Sequence, residues 1–360
     1  MNAGTWIYLL LLFISVGCAV KEVPPVSTES GGKNLADTLF PRYANYFRVL
    51  EYRDSVIVEV LDADGEVISG MRTLEDRNDI RLACMSTTHA SILAALGLTD
   101  RIAGMAFSDR ILDTTLLHAA ERGSITDIGE GGSESIELLL QLKPDIYFIY
   151  PYEIDASQFS NAGLRVFALN EYLEESPLGR AEWLVALGTL CGRKHQADSL
   201  FRIIEQEYRE VKSVLSGKEA KPEVFVGTNY EEHWYASGGK GLLATVIKDA
   251  GGRYSFETNP INYNLTLDFE TMIAEASDAD FWGDIRFGDT SSAELSGMVA
   301  RMKGFKAFTS NNLFYCDASK WDYFGRGVIE PQVILKDLAN IFHPGSFPDH
   351  KQVYFRLETQ

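Results

Sequence analysis

The stretch from Ser176 to Gly217 constrains the fold more than any other part of the chain. Leu200, Ile203, Ile204, Tyr208, Val211 and Leu215 recur at three- and four-residue spacing, which predicts an apolar stripe along one helix face. Gly192 is placed as a helix terminator, so the stretch divides into two helices, the second near 195–215. At 1.5 Å per residue that second helix spans roughly 30 Å, about the width of a small domain. Strand-like and helix-like segments alternate on both sides of it. The expected architecture is therefore α/β, with two Rossmann-like lobes joined by one long, stiff helix. An ordinary surface helix on a single large domain is the plainer alternative.

A chain of 360 residues with a net charge of −18 can bury a large core and usually forms more than one domain. That charge argues against nucleic acid and against an anionic membrane surface as partners. Anionic small ligands remain open to it, because they respond to local Arg and Lys. Residues 1–17 read as a signal peptide: an apolar run from Trp6 to Val16, too short to span a bilayer, precedes Ser15-Val16-Gly17-Cys18. The pattern resembles a bacterial lipoprotein signal in which Cys18 is lipidated. The missing Lys or Arg near the start, and Ser15 where Leu is preferred, keep a plain secretory signal as the alternative. Residues 18–41, rich in Pro, Ser and Gly, read as a tether. Cys84, Cys191 and Cys316 sit in apolar contexts and read as small core residues.

A lobe over 42–177 is expected to open with a β-hairpin around Asp64-Gly65. From Ile80 strands and helices alternate: Arg81–Met85, then a helix from His89, then Arg101–Ala106, Glu134–Leu142, Pro144–Tyr150 and Val166–Leu169. The interlobe helical segment covers 178–217. A second α/β lobe over 218–360 begins with the strand Glu223–Gly227. Alternation of this kind implies a parallel sheet with right-handed crossovers, and ligands then sit beyond the carboxyl ends of the strands. In the first lobe those ends carry Ser86–His89, Phe107–Arg110 and Tyr150–Glu153.

Ile80–Ser86 through Ala95–Gly104, Ser135-Ile136-Glu137 leading to Leu142–Asp145, Ala250-Gly251-Gly252, Leu267–Glu270 and Ala279-Asp280 follow one another in order. Together they resemble the periplasmic Fe-siderophore/cobalamin-binding proteins of ABC importers, class III periplasmic binding proteins. Arg180–Trp183, His343-Pro344 and Pro348–His350 resemble a lipoprotein branch found in Bacteroidetes. The resemblance implies two lobes with a rigid interlobe helix and a metal-chelate ligand, an iron-siderophore, corrinoid or haem, bound between them. It also implies that Glu137 and Glu270, one on each lobe, dock onto an ABC permease dimer.

Aromatic faces suit such a ligand, with a few polar groups fixing its orientation. The expected ligand contacts are Ser86, Thr87, His89, Phe107 and Tyr152 from the first lobe. From the second they are Trp234, Tyr235, Trp282, Arg286, Trp321 and Tyr323. Trp234-Tyr235 leads this set, because Gly238-Gly239 would permit close approach. Arg110, Lys240 and Arg326 are further cations near the strand ends. His89 and His233, from opposite lobes, would suit a haem or corrinoid metal, with ordinary hydrogen-bonded histidines as the alternative. No protein-held metal, resident cofactor or catalytic residue is expected. G-x-S-x-G, H-E-x-x-H and Walker patterns are absent from the sequence. The expectation is a monomeric, lipid-anchored substrate-binding protein of the cell envelope, facing the periplasm. A stand-alone surface corrinoid or haem receptor is the alternative, and a hydrolase on the same fold comes third.

Overall fold

The computed structural model describes residues 27–28, 35–74, 79–130, 133–151, 156–218, 221–230, 233–288 and 302–358. Cys18 and Tyr152 lie outside the described residues.

The chain opens with β1 (Ser27–Thr28), β2 (Leu35–Leu39), β3 (Phe47–Tyr52), β4 (Val56–Leu61) and β5 (Val67–Arg72). They form one sheet in the order β1-β5-β4-β3-β2, so the expected hairpin, β4–β5, is part of a five-stranded structure. Its turn is held by Asp62, whose Oδ1 accepts the amides of Asp64 and Glu66, each at 2.9 Å. Two buried glutamates fix the segment leading into β3. The Glu182 carboxylate accepts the amides of Arg42, Tyr43 and Ala44, and Glu174 accepts those of Asn45 and Tyr46.

The first lobe follows: β6 (Leu82–Cys84), α1 (Thr87–Ala95), β7 (Ile102–Met105), α2 (Thr114–Glu121), β8 (Thr126–Asp127), α3 (Ile136–Leu142), β9 (Ile146–Ile149), α4 (Ala156–Asn161) and β10 (Val166–Ala168). Its five strands run parallel in the order β10-β9-β6-β7-β8. The order reverses between β6 and β9, which places a topological switch point, and hence a crevice, beyond those two strands.

Two helices then cross the molecule, α5 (Pro177–Leu190) and α6 (Lys194–Leu215), with the break at Cys191-Gly192 and Gly192 at φ 71°. Its 22 residues make α6 roughly 33 Å long. It buries Ala197, Phe201, Ile204, Tyr208, Val211 and Leu215. Ile203, expected in the stripe, is exposed, and Phe201 takes the inward place because it lies on the 197–204–208 line.

The second lobe contains β11 (Glu223–Tyr230), β12 (His233–Ser237), α7 (Leu242–Asp249), β13 (Arg253–Tyr254), β14 (Asn264–Leu267), α8 (Phe269–Ala276), β15 (Phe281–Arg286), α9 (Lys306–Thr309), β16 (Leu313–Asp317), α10 (Pro331–Phe342) and β17 (Arg356–Leu357). Its sheet is mixed, in the order β14-β12-β11-β15-β16-β17, with β13 paired to β11. The antiparallel strands β12, β14 and β17 flank a parallel centre. Buried side chains of both lobes, α5, α6 and the leading sheet form one continuous apolar core.

Candidate functional site

The first lobe meets the second at the switch point. Ser86 closes the turn after β6 and caps α1, its Oγ accepting the His89 amide at 3.3 Å. The same hydroxyl reaches across the crevice to the Tyr150 phenol, beyond β9, at 3.2 Å. Thr87 is half-buried in the first turn of α1. One residue on, the Thr88 hydroxyl donates to the Phe324 carbonyl of the second lobe at 2.5 Å. A second bridge joins Asn262 to Glu175 at 3.1 Å.

Beneath this rim lies a buried polar cluster. The Tyr150 phenol donates to Glu171 Oε1 at 2.7 Å, and Arg180 of α5 approaches the same oxygen at 3.8 Å. Glu171 is fully buried and its Oε2 has no hydrogen-bond partner. Burial raises its pKa. His89 is also fully buried, packs on Tyr150 with ring centroids 4.5 Å apart, and has a partner at neither ring nitrogen. Burial lowers its pKa to about 3, so it is a neutral imidazole at physiological pH. His89 is therefore an interior group with no ring face toward a ligand, and His233 is exposed on β12.

Phe107, beyond β7, holds a left-handed backbone at φ 55°, an unusual conformation for a bulky side chain. Its amide donates to Gly129 at 3.1 Å, and the Arg110 guanidinium lies 4.5 Å from the ring centroid. This half-buried pair marks the first lobe's aromatic corner.

In the second lobe, Phe287 follows the carboxyl end of β15 and stacks on Phe324. Their centroids are 5.5 Å apart and the planes differ by 6°. Both rings remain 36% exposed, and Phe324 is the residue whose carbonyl binds Thr88, so the stack borders the lobe junction. Nearby, Arg286 lies 3.8 Å over the Tyr315 ring and 3.5 Å from Glu358. Trp321 is half-buried, 5.5 Å from Tyr315 and covered by Arg356 at 4.2 Å. Tyr323 meets Phe324 edge-on at 5.0 Å.

Besides His89, two more of the expected ligand contacts are core residues. Trp234 is 2% exposed and packs against Phe225 and Trp282. It lies on a paired strand, where alternation turns its indole inward, and Tyr235 beside it is half-buried. Trp282 is closed in by Phe225, Trp234, Phe305 and Phe308. Gly238 and Gly239 permit close approach of backbone, not of ligand: a Cβ on either would strike carbonyls among Phe256, Asn259, Ile261 and Tyr263. Arg326 is ion-paired with Glu330 at 2.6 Å.

Glu137 and Glu270 are both exposed in the first turn of their helices, α3 and α8, after side-chain caps by Ser135 and Asp268. Among the described residues no group of three or more His, Cys, Asp or Glu converges as a metal cage. Cys84, Cys191 and Cys316 are free and buried. No described helix is long and apolar enough to cross a membrane. Phe287 and Glu171 lie where the strand-end rule points when applied to β15 and β10, and Arg180 carries a sequence signal only as part of the Arg180–Trp183 motif.

Residues 82–319 match the model of the periplasmic binding protein family. A Methanocaldococcus jannaschii chain described as an uncharacterized lipoprotein is 27% identical over 241 residues, 65% of this chain and 56% of that relative's length. A periplasmic binding protein from Veillonella parvula superposes with a TM-score of 0.64 at 16% identity, covering 80% of this chain and 98% of its own. A periplasmic heme-binding protein from Pseudomonas aeruginosa gives 0.61 at 16% identity, covering 78% and 98%. At these identities the structural likeness shows the fold alone, the two-lobed class III architecture. On the match over 82–319, the chain belongs to the periplasmic binding protein family.

Proposed function

We propose that this chain is the lipid-anchored substrate-binding protein of an ABC importer, holding an iron-siderophore or a cobalamin-like corrinoid or haem between its lobes for delivery to a permease. The observation that carries the reading is the pair of half-open aromatic corners at the strand ends. Phe107 under Arg110 lies on one lobe and the stacked Phe287–Phe324 on the other. A flat or globular chelate with an apolar periphery offers faces to such rings, and binding on rigid aromatics costs little side-chain entropy. The haem ligand of the Pseudomonas aeruginosa relative supports the same class. Glu137 and Glu270, alike in exposure and helix position, suit docking onto two permease subunits. The lipoprotein relative supports anchoring through Cys18. Native mass spectrometry of the purified protein with haemin, cyanocobalamin and ferric siderophores tests the ligand class. One equivalent of one class should be retained; retention of none would overturn the reading.

A further inference from the structure

Arg180 differs from the other cations near the strand ends. Arg110 lies over Phe107, Arg286 over Tyr315 and beside Glu358, and Arg326 pairs with Glu330. The Arg180 side chain is only 17% exposed and its Nε is buried without a partner, features that Arg286 shares; but Arg286 bonds Glu358 and covers Tyr315, whereas the Arg180 guanidinium makes no hydrogen bond among the described residues. Its one ion pair, to Glu171 Oε1 at 3.8 Å, is beyond hydrogen-bond reach, and that oxygen is already taken by Tyr150. A buried Nε–H donor without an acceptor is costly, and the fork around it is free to take a planar acidic group.

Position sharpens the point. Arg180 stands in the first turns of α5, after the Ser176 cap, where the helix dipole disfavours a cation and favours an anion. Through Glu171 it adjoins Tyr150 of the first lobe, and α5 packs against the Arg326–Ile329 turn of the second, so it sits where the lobes meet. We infer that Arg180 anchors an acidic group, a carboxylate, catecholate or phosphate, carried on the metal chelate, with Glu171 and Tyr150 as the residues that position it. The inference rests on the chelate-binding reading and narrows it to ligands bearing an anionic substituent.

The test titrates wild type, Arg180→Gln, Arg180→Lys and the Arg180→Gln, Glu171→Gln double variant with two matched pairs of probes. One is haemin against haemin dimethyl ester; the other is an anionic ferric tris-catecholate against a neutral ferric trihydroxamate. Wild type should prefer the acidic member of the pair it binds. Arg180→Gln should lose on the order of ten- to hundredfold in affinity for that member, with its neutral counterpart little changed. Arg180→Lys should recover part of the loss, since it restores charge without the fork. The double variant leaves no unpaired buried carboxylate and should lose the preference equally, which separates anchoring from misfolding. If wild type binds but Arg180→Gln retains full affinity for the acidic probe, the anchor is wrong and the chelate reading stands. If wild type binds no member of either pair and no corrinoid, the chelate reading fails and the anchor falls with it.

Discussion

Tyr208, in the second half of α6, donates a hydrogen bond of 2.9 Å to Asp249 at the end of α7, and Lys212 reaches the same carboxylate at 2.7 Å. The long helix is thus tied to the second lobe by a charge-assisted bond, while it packs on both α5 and α10. A strut fixed in this way resists hinge bending. Tyr208→Phe is expected to cost about 1.5–3 kcal/mol by urea denaturation, the range for a bond to a charged group. Small-angle scattering of the wild type should give nearly equal radii of gyration with and without ligand. A clear compaction would contradict the strut.

Trp234→Ala is expected to destabilise the protein by about 3–5 kcal/mol, since the indole fills a closed cluster with Phe225 and Trp282. Equilibrium denaturation measures it directly. An unchanged midpoint with weakened ligand binding would return Trp234 to the cleft.

Glu174 gives the account its pH dependence. Burial raises its pKa to about 7, although Trp183 Nε1 and the amides of Asn45 and Tyr46 partly offset that by bonding to it. Below an ordinary glutamate pKa the group is protonated in both the folded and unfolded states. Between that value and about 7 the folded state holds the extra proton, so stability through this group falls as pH rises across the window. Relative to wild type, Glu174→Gln should flatten the fall between pH 5 and pH 8, by about 1–3 kcal/mol over the range. Parallel slopes for the two proteins would show that Glu174 ionises normally.

Much of this was legible in sequence where the signal is local. The break at Gly192 follows from one residue that tolerates positive φ, and the parallel first lobe from alternation of strand and helix. Gly238-Gly239 suggests a loop opening beside Trp234. Its true place is set by pairing with β11 and β14, partners that no local spacing encodes. The leading sheet was seen only as its β4–β5 hairpin, since β2 and β1 are short and are recruited by β3 and β5. Arg180 is visible in sequence only as part of the Arg180–Trp183 motif; what marks it is a guanidinium without a hydrogen bond among the described residues, a property of the folded chain.

The exposed Glu137 and Glu270 are expected to act outside the ligand site. The Glu137→Ala, Glu270→Ala double variant should keep ligand affinity and lose stimulation of the cognate transporter's ATPase in liposomes, because such charges set register and encounter. Full stimulation by the double variant would remove the docking assignment.

The central claim is that a chelate lies between Phe107 and the Phe287–Phe324 stack, and calorimetric titration of one variant tests it most directly. With the chelate that wild type retains, the Phe287→Ala, Phe324→Ala double variant should bind at least about tenfold more weakly, the scale of aromatic anchors. Its unfolding midpoint should move little, since both rings are partly exposed. Equal affinity in wild type and variant would contradict the claim and place the ligand elsewhere on the molecule.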